Sequence, residues 1–387
     1  MTLDPIRARI ALGWLVEPGH PVISQLVAAR GPVDAYAAVL AGEINSPRLR
    51  EAVTARLASD NPEQIAETIL ARTHRLGVTV LTPEDTDWPY QVEDLRLLET
   101  LTPQERMISP PLLLYLRGAA PAATLSQNAV AIVGARASSS YGNHQATDLS
   151  YGLAQRGWSI ISGGAYGIDA AAHRGALTAG GTTVAVLACG IDRIYPAGNT
   201  ALFERIAETG LLVSEWPPGA DPHRHRFLTR NRVIAALPRG TVVAEASARS
   251  GALATARRAL ALGRPTMIVP GPVTSAMSVG CHLLARQEPA VRLVTGVAEV
   301  LEEVGAIGTD LAPLPRGVDT ARDRLTDDAA LLLDNMPAGR PCRPDELSAR
   351  AGLALRVVLR SLPALTDLGL IELTDAGYLL ARTRTPR

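Results

Sequence analysis

The decapeptide HRHRFLTRNR, residues 223–232, brings together residue types that could bind an anion. It holds four arginines, two of the chain's seven histidines and Phe227, one of its two phenylalanines. Arginine side chains bind phosphate groups through paired hydrogen bonds, and an aromatic ring can stack on a nucleobase. Residues 222–264 contain nine arginines and a single acid, Glu245, a formal charge of +8 within a chain of net charge +0. This composition predicts a binding site for a polyanion rather than for a mononucleotide.

The basic residues also exclude several kinds of enzyme. All 38 are arginine, and the chain contains no lysine. A lysine is needed for a Walker-type phosphate loop, for a Schiff base with pyridoxal phosphate or a sugar, and for lysine general-base catalysis. The loop glycines do not form the GxGxxG fingerprint of dinucleotide binding. The sequence therefore implies no cofactor.

Neither cysteines nor histidines predict a metal site. Cys189, Cys281 and Cys342 are far apart and odd in number, which favours buried reduced thiols over a disulfide framework or a zinc knuckle. His223 and His225 lack a third ligand at a suitable spacing, so we interpret them as surface residues. No apolar run approaches the roughly 18 residues of a membrane helix, and the first residues lack the features of a signal peptide. We expect a cytoplasmic protein without a membrane partner.

A parallel sheet must position the arginine-rich segment. From residue 129 the sequence alternates helical patterns with short apolar runs, among them AVAIVG, WSIISGG, TTVAVLACG, LLVSEW, GTVVAEA and PTMIVPG. Continuous β-branched runs separated by helices are typical of a parallel sheet buried on both faces. The fold class predicted is α/β, with a doubly wound parallel sheet.

The flanking segments predict further domains. Residues 1–70 show short helical patterns broken by glycine and proline, which indicates a small helical domain of the SAM or helix-hairpin-helix kind. Residues 71–305 are interpreted as a connector plus the α/β domain, and the Pro-, Gly- and Asp-rich residues 306–325 as a linker. Residues 326–387 have the pattern of a winged-helix domain, in which Pro363 should kink or end the second helix of the motif.

Ligands bind beyond the carboxyl ends of the strands in such a sheet. The helix that carries the arginine-rich segment should run antiparallel to the strands, which places its N-terminus, with free amides and a positive dipole end, at the same edge. The loops and the helix at this edge supply the predicted phosphate-binding residues: Arg136, Ser138, Gly163, Gly164, Arg230, Asn231, Arg232, Ser250 and Gly251.

Several residues near this edge have two interpretations. Phe227 amid arginines favours single-stranded nucleic acid, because a duplex hides its base faces, but it could equally be a hydrophobic staple for its helix. Asp169 and His173, four residues apart, could form a catalytic pair, although a capping and packing pair is favoured. Glu215 and Glu245 end strands, and we expect them to orient arginines rather than to catalyse a reaction.

A set of motifs in a fixed order resembles the DprA (Smf) family, the DNA-processing protein A family. The motifs run from Val130 to Gly271 and read VAIVGARASSSYG, ISGGAYGIDAAAHRGAL, VAVLACGIDRIYP, FLTRNRVIAAL, SGALATA and VPG. The resemblance implies an extended Rossmann-like fold, flanked by an N-terminal helical domain and a C-terminal winged-helix domain. It also implies single-stranded DNA binding, a homodimer formed through the Rossmann-like domain, and loading of the recombinase RecA onto incoming DNA during natural transformation, without enzymatic activity.

The resemblance also assigns site residues. It places Arg136 with Gly163 and Gly164 in the DNA pocket, makes Arg224 and Phe227 a phosphate and a base contact, and aligns Arg230, Asn231 and Arg232 with an RNR motif. The chain differs from the family pattern at three places: Ala135 replaces a serine, His282 an asparagine, and Gln287-Glu288 a Gly-Ala pair.

Two other functions remain open from the sequence. Related Rossmann-like folds hydrolyse the N-glycosidic bond of nucleoside monophosphates with a PGGxGTxxE loop, but Arg258 stands where that glutamate would be, three residues after Thr255. A missing carboxylate disfavours the reaction, because the charge developing on the ribose needs an anion. The winged-helix domain could instead bind duplex DNA; with Arg356 and Arg360 as its basic residues there, a protein-contact or regulatory role is favoured.

Overall fold

A computed structural model describes residues 4–101, 107–306 and 320–381. The chain divides into two compact units, Met1–Ala312 and Pro313–Arg387. Most of the predicted linker, residues 307–319, lies outside the described residues. The remainder of that linker includes a short 3-10 turn over Ala321–Arg324.

The first unit begins with four helical segments, each of which starts with proline at its first turn: α1 Pro5–Leu15, α2 Pro21–Leu40, α3 Pro47–Ser59 and α4 Pro62–Arg75. The backbone of α2 is not helical at Gly31, which divides this segment into two helices at the predicted Gly-Pro break. Proline suits this position because its fixed φ is helical and its missing N–H would have no partner within the helix. The side chains of Asp4, Ser46 and Asn61 cap α1, α3 and α4 by accepting backbone N–H groups. The predicted boundary at residue 70 falls within α4.

Nine strands of the described chain form one sheet in the order β1-β2-β6-β5-β4-β3-β7-β8-β9. Their bounds are β1 Thr79–Leu81, β2 Leu114–Arg117, β3 Ala129–Gly134, β4 Ser159–Ser162, β5 Thr183–Val186, β6 Leu211–Ser214, β7 Gly240–Glu245, β8 Thr266–Ile268 and β9 Val291–Leu293. β3 to β9 pair in parallel, as the apolar runs predict. β1 and β2 extend the sheet antiparallel from β6, so the predicted connector contributes two strands.

Helices cover both faces of the sheet. The further helices of this unit are α5 Leu95–Leu101, α6 Ser140–Ala154, α7 Ile168–Thr178, α8 Thr200–Thr209, α9 Arg224–Ala236, α10 Gly251–Ala261, α11 Val279–Gln287 and α12 Val297–Val304. One core joins α6, α7 and α12 to β3, β4 and β7, and a second joins α9, α10 and α11 to the other side of the central strands. The fold class is therefore the predicted doubly wound α/β arrangement.

The N-terminal helices share a third core with the sheet. Leu12, Tyr36 and Ile69 belong to the same buried cluster as Ala185 of β5 and Leu212 of β6. Because these side chains form one continuous core, the helical region and the sheet pack as parts of one unit.

The second unit has the predicted winged-helix elements: α13 Asp327–Asp334, α14 Pro344–Ala351, α15 Leu355–Asp367, β10 Ile371–Thr374 and β11 Gly377–Leu380. The last two strands form an antiparallel hairpin. Of the two predicted effects of Pro363, a kink or the end of its helix, the second does not occur, since α15 continues to Asp367. Leu362 and Leu365, on either side of Pro363, are fully buried, and their packing holds the helix together across the position where proline removes a hydrogen bond.

Candidate nucleic-acid interface

A cavity of about 310 Å³ opens at the carboxyl ends of β3 and β7. From β3 the chain first builds the sheet in one direction, through β4, β5 and β6, and then returns to build it in the other, through β7, β8 and β9. The order of the strands therefore reverses between β3 and β7. Ligands of doubly wound sheets bind at this point, where the loops after the two strands separate. The cavity therefore lies where the sequence predicts the site.

Close backbone contacts fix the loops around the cavity. Ala135 donates its N–H to the carbonyl of Glu245 at 2.7 Å, and the Ile168 N–H donates to the carbonyl of Ala135 at 3.2 Å. Gly167 has a φ of +76°, and a side chain there would overlap the Ala135 carbonyl. Only glycine combines this backbone conformation with so close an approach. The loops after β3, β4 and β7 consequently form one rigid frame.

Glu245 ends β7 and holds the start of α6. Its carboxylate accepts hydrogen bonds from the backbone N–H of Ser139 at 2.8 Å and from the Ser139 hydroxyl at 2.7 Å. The same hydroxyl accepts the N–H of Gly142 and so caps α6. The prediction that Glu245 orients an arginine is wrong, because its oxygen atoms are used by the helix cap.

Phe227 and Arg136 form the rim of the cavity. The guanidinium carbon of Arg136 lies 5.2 Å from the centroid of the Phe227 ring, within the range of a cation–π contact. Arg136 is exposed and Phe227 is half-buried. The Tyr195 ring lies 5.5 Å from the Phe227 ring at an interplanar angle of 57°. Sequence reasoning missed Tyr195; its place in the loop after β5, at the same edge, was the available signal.

Arg230 lies beneath this rim. Its side chain donates hydrogen bonds to the carbonyl oxygen of Gly163, at 2.8 Å, and to that of Val186, and the residue is only 5% exposed. Burial lowers the pKa of Arg230 to about 10, an effect that nearby Asp169 opposes and Arg136 reinforces. Arg230 remains charged at neutral pH and contributes positive potential to the floor of the cavity.

Asp169 also lines the cavity, as the one acid among the described residues that do so. It is 7% exposed and accepts the N–H of Ala165 at 3.3 Å. Burial raises its pKa, although Arg230 and hydrogen bonds from Ala165, Ser162 and Gly163 oppose this effect. These contacts show that Asp169 stabilises the loop after β4.

The other member of the suggested pair, His173, lies deeper in the protein. It is fully buried, with its Nδ1 atom 2.7 Å from the Thr183 hydroxyl. Burial, reinforced by Arg230 and Arg174, lowers the pKa of His173 to about 3. The histidine is therefore neutral at neutral pH, and its surroundings agree with the packing interpretation of the pair.

Arg232 does not reach the cavity. Its guanidinium is 0% exposed and forms two hydrogen bonds of 2.6 Å with the Glu215 carboxylate. A third bond, from its Nε atom, reaches the carbonyl of Ser109 at 2.8 Å. Fully buried and paired, Arg232 joins α9, the end of β6 and the segment before β2. The expectation that Glu215 orients an arginine is confirmed, and Arg232, which the sequence predicts to bind a ligand, is buried against that carboxylate.

The N-terminus of α9 is held by the helical region. Arg226 donates to the Glu17 carboxylate at 2.5 and 3.1 Å, and Trp216 donates its indole N–H to the same group at 3.0 Å. Burial alone would raise the pKa of Glu17, but these hydrogen bonds outweigh it and lower the pKa. Arg224, two residues earlier, is exposed. Of the four arginines in the decapeptide, Arg224 therefore has the side chain most open to solvent.

The structure brings most of the predicted site residues to one place. Those that line the cavity are Arg136, Phe227, Arg230, Asn231, Ser250 and Gly251. Those that do not line it are Ser138, Gly163, Gly164, Arg224 and Arg232. Ser138 bonds Asn143, and Gly163 packs against Arg230. Gly164 has a φ of +69°, and a Cβ atom there would lie 2.3 Å from the Phe203 ring. Gly163 and Gly164 therefore shape the loop, while other residues form the wall of the cavity.

The charge of residues 222–264 is partly neutralised inside the protein. Three of these arginines are paired with acids: Arg226 with Glu17, Arg232 with Glu215, and Arg264 with Asp94. The sequence count of +8 therefore overestimates the number of arginines that a ligand can reach.

The described residues offer no metal-binding cluster, and the three cysteines are buried. In residues 4–101, 107–306 and 320–381 no cluster of three His, Cys, Asp or Glu side chains could hold a metal ion. The rings of His223 and His225 stack on each other, with their centroids 5.9 Å apart. Cys189, Cys281 and Cys342 are free and buried, as predicted. A search of the described helices finds none that combines the length and the apolar character needed to span a membrane.

The family follows from a comparison with known proteins. Residues 79–305 match the model of the family described as DNA recombination-mediator protein A. The chain belongs to this family. The match runs from the first strand of the sheet to the end of α12, and it contains every loop that forms the cavity. The resemblance found in the motifs is thereby confirmed.

Relatives extend the family assignment to nearly the whole chain. The putative DNA processing protein DprA of Mycobacterium tuberculosis is 41% identical over 382 residues, which cover 98% of this chain and 96% of that protein. The DNA processing protein DprA of Streptococcus pneumoniae is 42% identical over 193 residues, covering 50% of this chain and 67% of that protein.

Solved structures of two family members share the fold. The X-ray structure of Streptococcus pneumoniae DprA superposes with a TM-score of 0.63 at 29% identity, covering 79% of this chain and 100% of that one. DNA processing protein A of Helicobacter pylori, whose structure was studied for its single-stranded DNA binding mode, gives a TM-score of 0.50 at 27% identity, covering 58% of this chain and 94% of that one.

Proposed function

We propose that this recombination-mediator family member binds single-stranded DNA at the cavity rim, with little sequence preference. The observation that carries the proposal is the Arg136 guanidinium set against the Phe227 ring at the mouth of a cavity formed at the strand ends. A cation beside a half-buried aromatic ring at a cavity mouth serves a phosphate and a base at the same time. The Helicobacter pylori relative, studied for its single-stranded DNA binding, supports the choice of ligand.

The roles of the individual residues follow from their exposure. Arg136 and Arg224, both exposed, contact phosphates, and Phe227 stacks on a base. Backbone N–H groups at the start of α10, where Ser250 caps the helix and Gly251 leaves the backbone open, donate hydrogen bonds to a further phosphate. Arg230 supports the bound phosphates from below through its charge, because its hydrogen bonds go to two main-chain carbonyls and to the side-chain oxygen of Asn231.

We propose a binding protein rather than an enzyme. Arg258, which stands where a nucleotide hydrolase would carry glutamate, donates a hydrogen bond to the Leu228 carbonyl at 2.7 Å. Asp169, the acid in the cavity wall, already accepts hydrogen bonds from the loop after β4. A hydrolase needs a carboxylate free to stabilise the charge on the ribose. Release of free base from nucleoside monophosphates, lost on an Asp169→Asn substitution, would favour the hydrolase instead.

The proposed partners are RecA and a second copy of this chain. Val273, 86% exposed, and Leu293, 59% exposed, flank α11 and offer apolar surface for a homodimer of the α/β region. The complex would act in the cytoplasm, where it protects incoming single strands and transfers them to RecA during transformation. Sedimentation of the wild type and of a Val273→Asp, Leu293→Asp variant tests the dimer, which the two charges should dissociate.

Fluorescence anisotropy with a labelled oligonucleotide of mixed sequence tests the binding function. We expect the wild type to bind the single strand more tightly than the duplex, and an Arg136→Ala, Arg224→Ala double variant to lose most of that affinity. The matched control is Arg156→Ala with Arg205→Ala, which removes two exposed arginines that do not line the cavity. A preference for duplex that survives the loss of Arg136 and Arg224 would refute the proposal and direct attention to the winged-helix unit.

A further inference from the structure

Two exposed tyrosines continue the aromatic surface beyond Phe227. Tyr195 is 45% exposed and Tyr166 is 50% exposed. Tyr195 follows β5 and Tyr166 follows β4, so both lie at the carboxyl edge of the sheet. The Tyr195 ring is 5.5 Å from the Phe227 ring. Gly198, three residues after Tyr195, is so close to the Tyr166 hydroxyl that a Cβ atom there would lie 2.5 Å from it. The Tyr166 side chain therefore lies against the loop that carries Tyr195, whose ring is itself beside Phe227.

The loops that carry the tyrosines are tied together. Asn199 is 2% exposed, and its side-chain amide donates to the carbonyls of Gly164 at 3.0 Å and Ala165 at 3.3 Å. One buried side chain therefore joins the loop after β5 to the loop after β4, directly before Tyr166. An exposed aromatic ring on a fixed loop loses little conformational freedom when it binds a ligand.

The loop after β5 is also held on its other side. The Gly190 N–H donates to the carbonyl of Ala220 at 2.8 Å, and the Asp192 carboxylate accepts the Gly219 N–H at 2.6 Å and pairs with Arg72 at 2.5 Å. These contacts tie the loop to the segment after β6 and to α4. Arg193, in the same loop, keeps 54% of its side chain exposed, with its nearest acid, Asp221, 3.8 Å away.

We propose that Tyr195 and Tyr166 form a second base-stacking segment for single-stranded DNA, with Arg193 as a phosphate contact. The segment would carry the strand from the cavity across the ends of β4 and β5, away from α10. This inference rests on the proposed function and adds to it the path of the strand and the length of DNA that one chain covers. Single-strand binding sites combine stacking aromatic rings with arginines along the backbone in this way.

Composition and placement support a binding role over chance exposure. Aromatic residues make up only 4% of the chain, yet Phe227, Tyr195 and Tyr166 all lie in the loops and helix start at the edge where the cavity opens. Other tyrosines, such as Tyr36 and Tyr115, are buried in the core that joins the helices to the sheet. The packing of Tyr195 against Phe227 could alternatively serve to hold Phe227 in place, and an experiment must separate these two roles.

Binding measured as a function of oligonucleotide length separates them. The test variant is Tyr166→Leu with Tyr195→Leu, which keeps apolar bulk but removes the aromatic faces. The probes are oligothymidylates of about 4 and about 12 nucleotides, at low salt so that the short probe still binds measurably. The control is Tyr90→Leu with Tyr151→Leu, which removes two tyrosines that are 62% and 38% exposed and do not line the cavity.

We expect the test variant to bind the short probe as the wild type does and the long probe at least tenfold more weakly. Tyr195→Phe, which keeps the ring, should bind both probes normally. Equal losses on both probes would mean that the tyrosines only support Phe227, and unchanged binding of the long probe would mean that the strand does not pass over them; either result overturns the inference. A wild type that binds neither probe would instead refute the proposed function itself.

Discussion

The first turn and the middle of α9 use arginine in opposite ways. At its N-terminus Arg224 is exposed, and Phe227 stands half-buried beside Arg136. About two turns after Arg224, Arg230 is 5% exposed and Arg232 is 0% exposed. The first turn presents charge and an aromatic ring to solvent, and the middle of the helix uses its guanidinium groups to join elements of the fold. Arginines of one helix thus have two roles: Arg224 is available to a ligand, whereas Arg230 and Arg232 belong to the protein interior.

The difference lies in what surrounds each guanidinium. Arg232 meets a buried carboxylate and the Ser109 carbonyl, so its hydrogen bonds compensate for the loss of water. Arg230 meets carbonyl groups and a nearby buried acid, and its pKa falls to about 10. Arg224 remains in water and can exchange its counterions for a phosphate. The role of an arginine in a basic motif is therefore decided by its partners, which the motif does not show.

The largest effect on stability is expected at Arg232, in the buried middle of α9. Arg232→Met leaves Glu215 buried without its partner, and removal of one member of such a pair costs about 3–5 kcal/mol of folding free energy. Urea unfolding followed by tryptophan fluorescence measures this loss. All four tryptophans precede residue 217, so the signal reports on the first unit alone.

A paired substitution supplies the control for that loss. Arg232→Met together with Glu215→Leu removes both charges, so most of the lost stability should return. If the single variant were as stable as the wild type, Arg232 would not be the buried structural residue described here, and a contact with DNA would again be open to it.

In the first turn of α9, a substitution should change the affinity for single-stranded DNA rather than the stability of the fold. Phe227→Ala should weaken single-strand affinity by about 1–3 kcal/mol, the usual worth of one stacked base. The salt dependence of binding should not change, because no phosphate contact is lost. Anisotropy titrations at several salt concentrations measure both quantities, with Phe227→Tyr as a control that keeps the stacking face. Unchanged affinity would show that Phe227 serves only to pack its helix.

Acid should weaken the buried layer beneath α9. The pKa of His173 is about 3 in the folded protein, against about 6.5 when unfolded, so below pH 6.5 the unfolded chain binds a proton that the folded chain does not. The free energy of unfolding should therefore decrease as the pH is lowered, by about 1 kcal/mol between pH 6.5 and pH 5.5. A His173→Gln variant should lack this slope in tryptophan-monitored unfolding.

Asp169 does not disturb that comparison. Its raised pKa acts in the opposite direction, because the folded protein then binds a proton before the unfolded chain does. The difference between the wild type and His173→Gln cancels this contribution together with those of the other histidines. Equal pH slopes for the two proteins would contradict the assignment of a neutral, buried His173.

The smallest effect concerns one phosphate. Arg224→Ala should reduce the slope of log K against log salt by about 0.7, the value for one phosphate of a single strand. Affinity should fall alike for all base sequences, since a phosphate contact carries no sequence information. The same titrations with Arg226→Ala test the specificity of the effect, because Arg226 is committed to Glu17. A slope that Arg224→Ala leaves unchanged would place the strand away from the start of α9.

The central sheet could be predicted from the sequence because its signal is local. Runs such as AVAIVG and GTVVAEA are fully apolar and β-branched, which suits strands covered on both faces. β1 and β2 were missed: each is three or four residues long, and both lie in a region that reads as a connector. The pairing of β2 with β6, and of β1 with β2, is set by tertiary contacts rather than by the pattern of the strands themselves.

The position of the candidate site could be predicted from the sequence, but which of its residues line the cavity could not. The rule that ligands bind at strand ends identified the loops around Arg136 and Ser250. It could not show that Arg232 turns toward Glu215, because this pairing joins residues 17 positions apart on different elements. Nor could it show that Tyr195 approaches Phe227, since that contact depends on how the loop after β5 folds back over the edge.

The shared core of the helical region and the sheet affects how this chain can vary. Family-model similarity begins only at residue 79, yet Glu17 fixes Arg226 at the start of α9, and α1, α2 and α4 supply side chains to the core over β5 and β6. Replacing the first 75 residues with an unrelated helical segment would leave Leu212 and Ala185 uncovered and Arg226 without its carboxylate. Recombination between genes of this family should therefore tolerate exchange points after α12 far better than between α4 and β1.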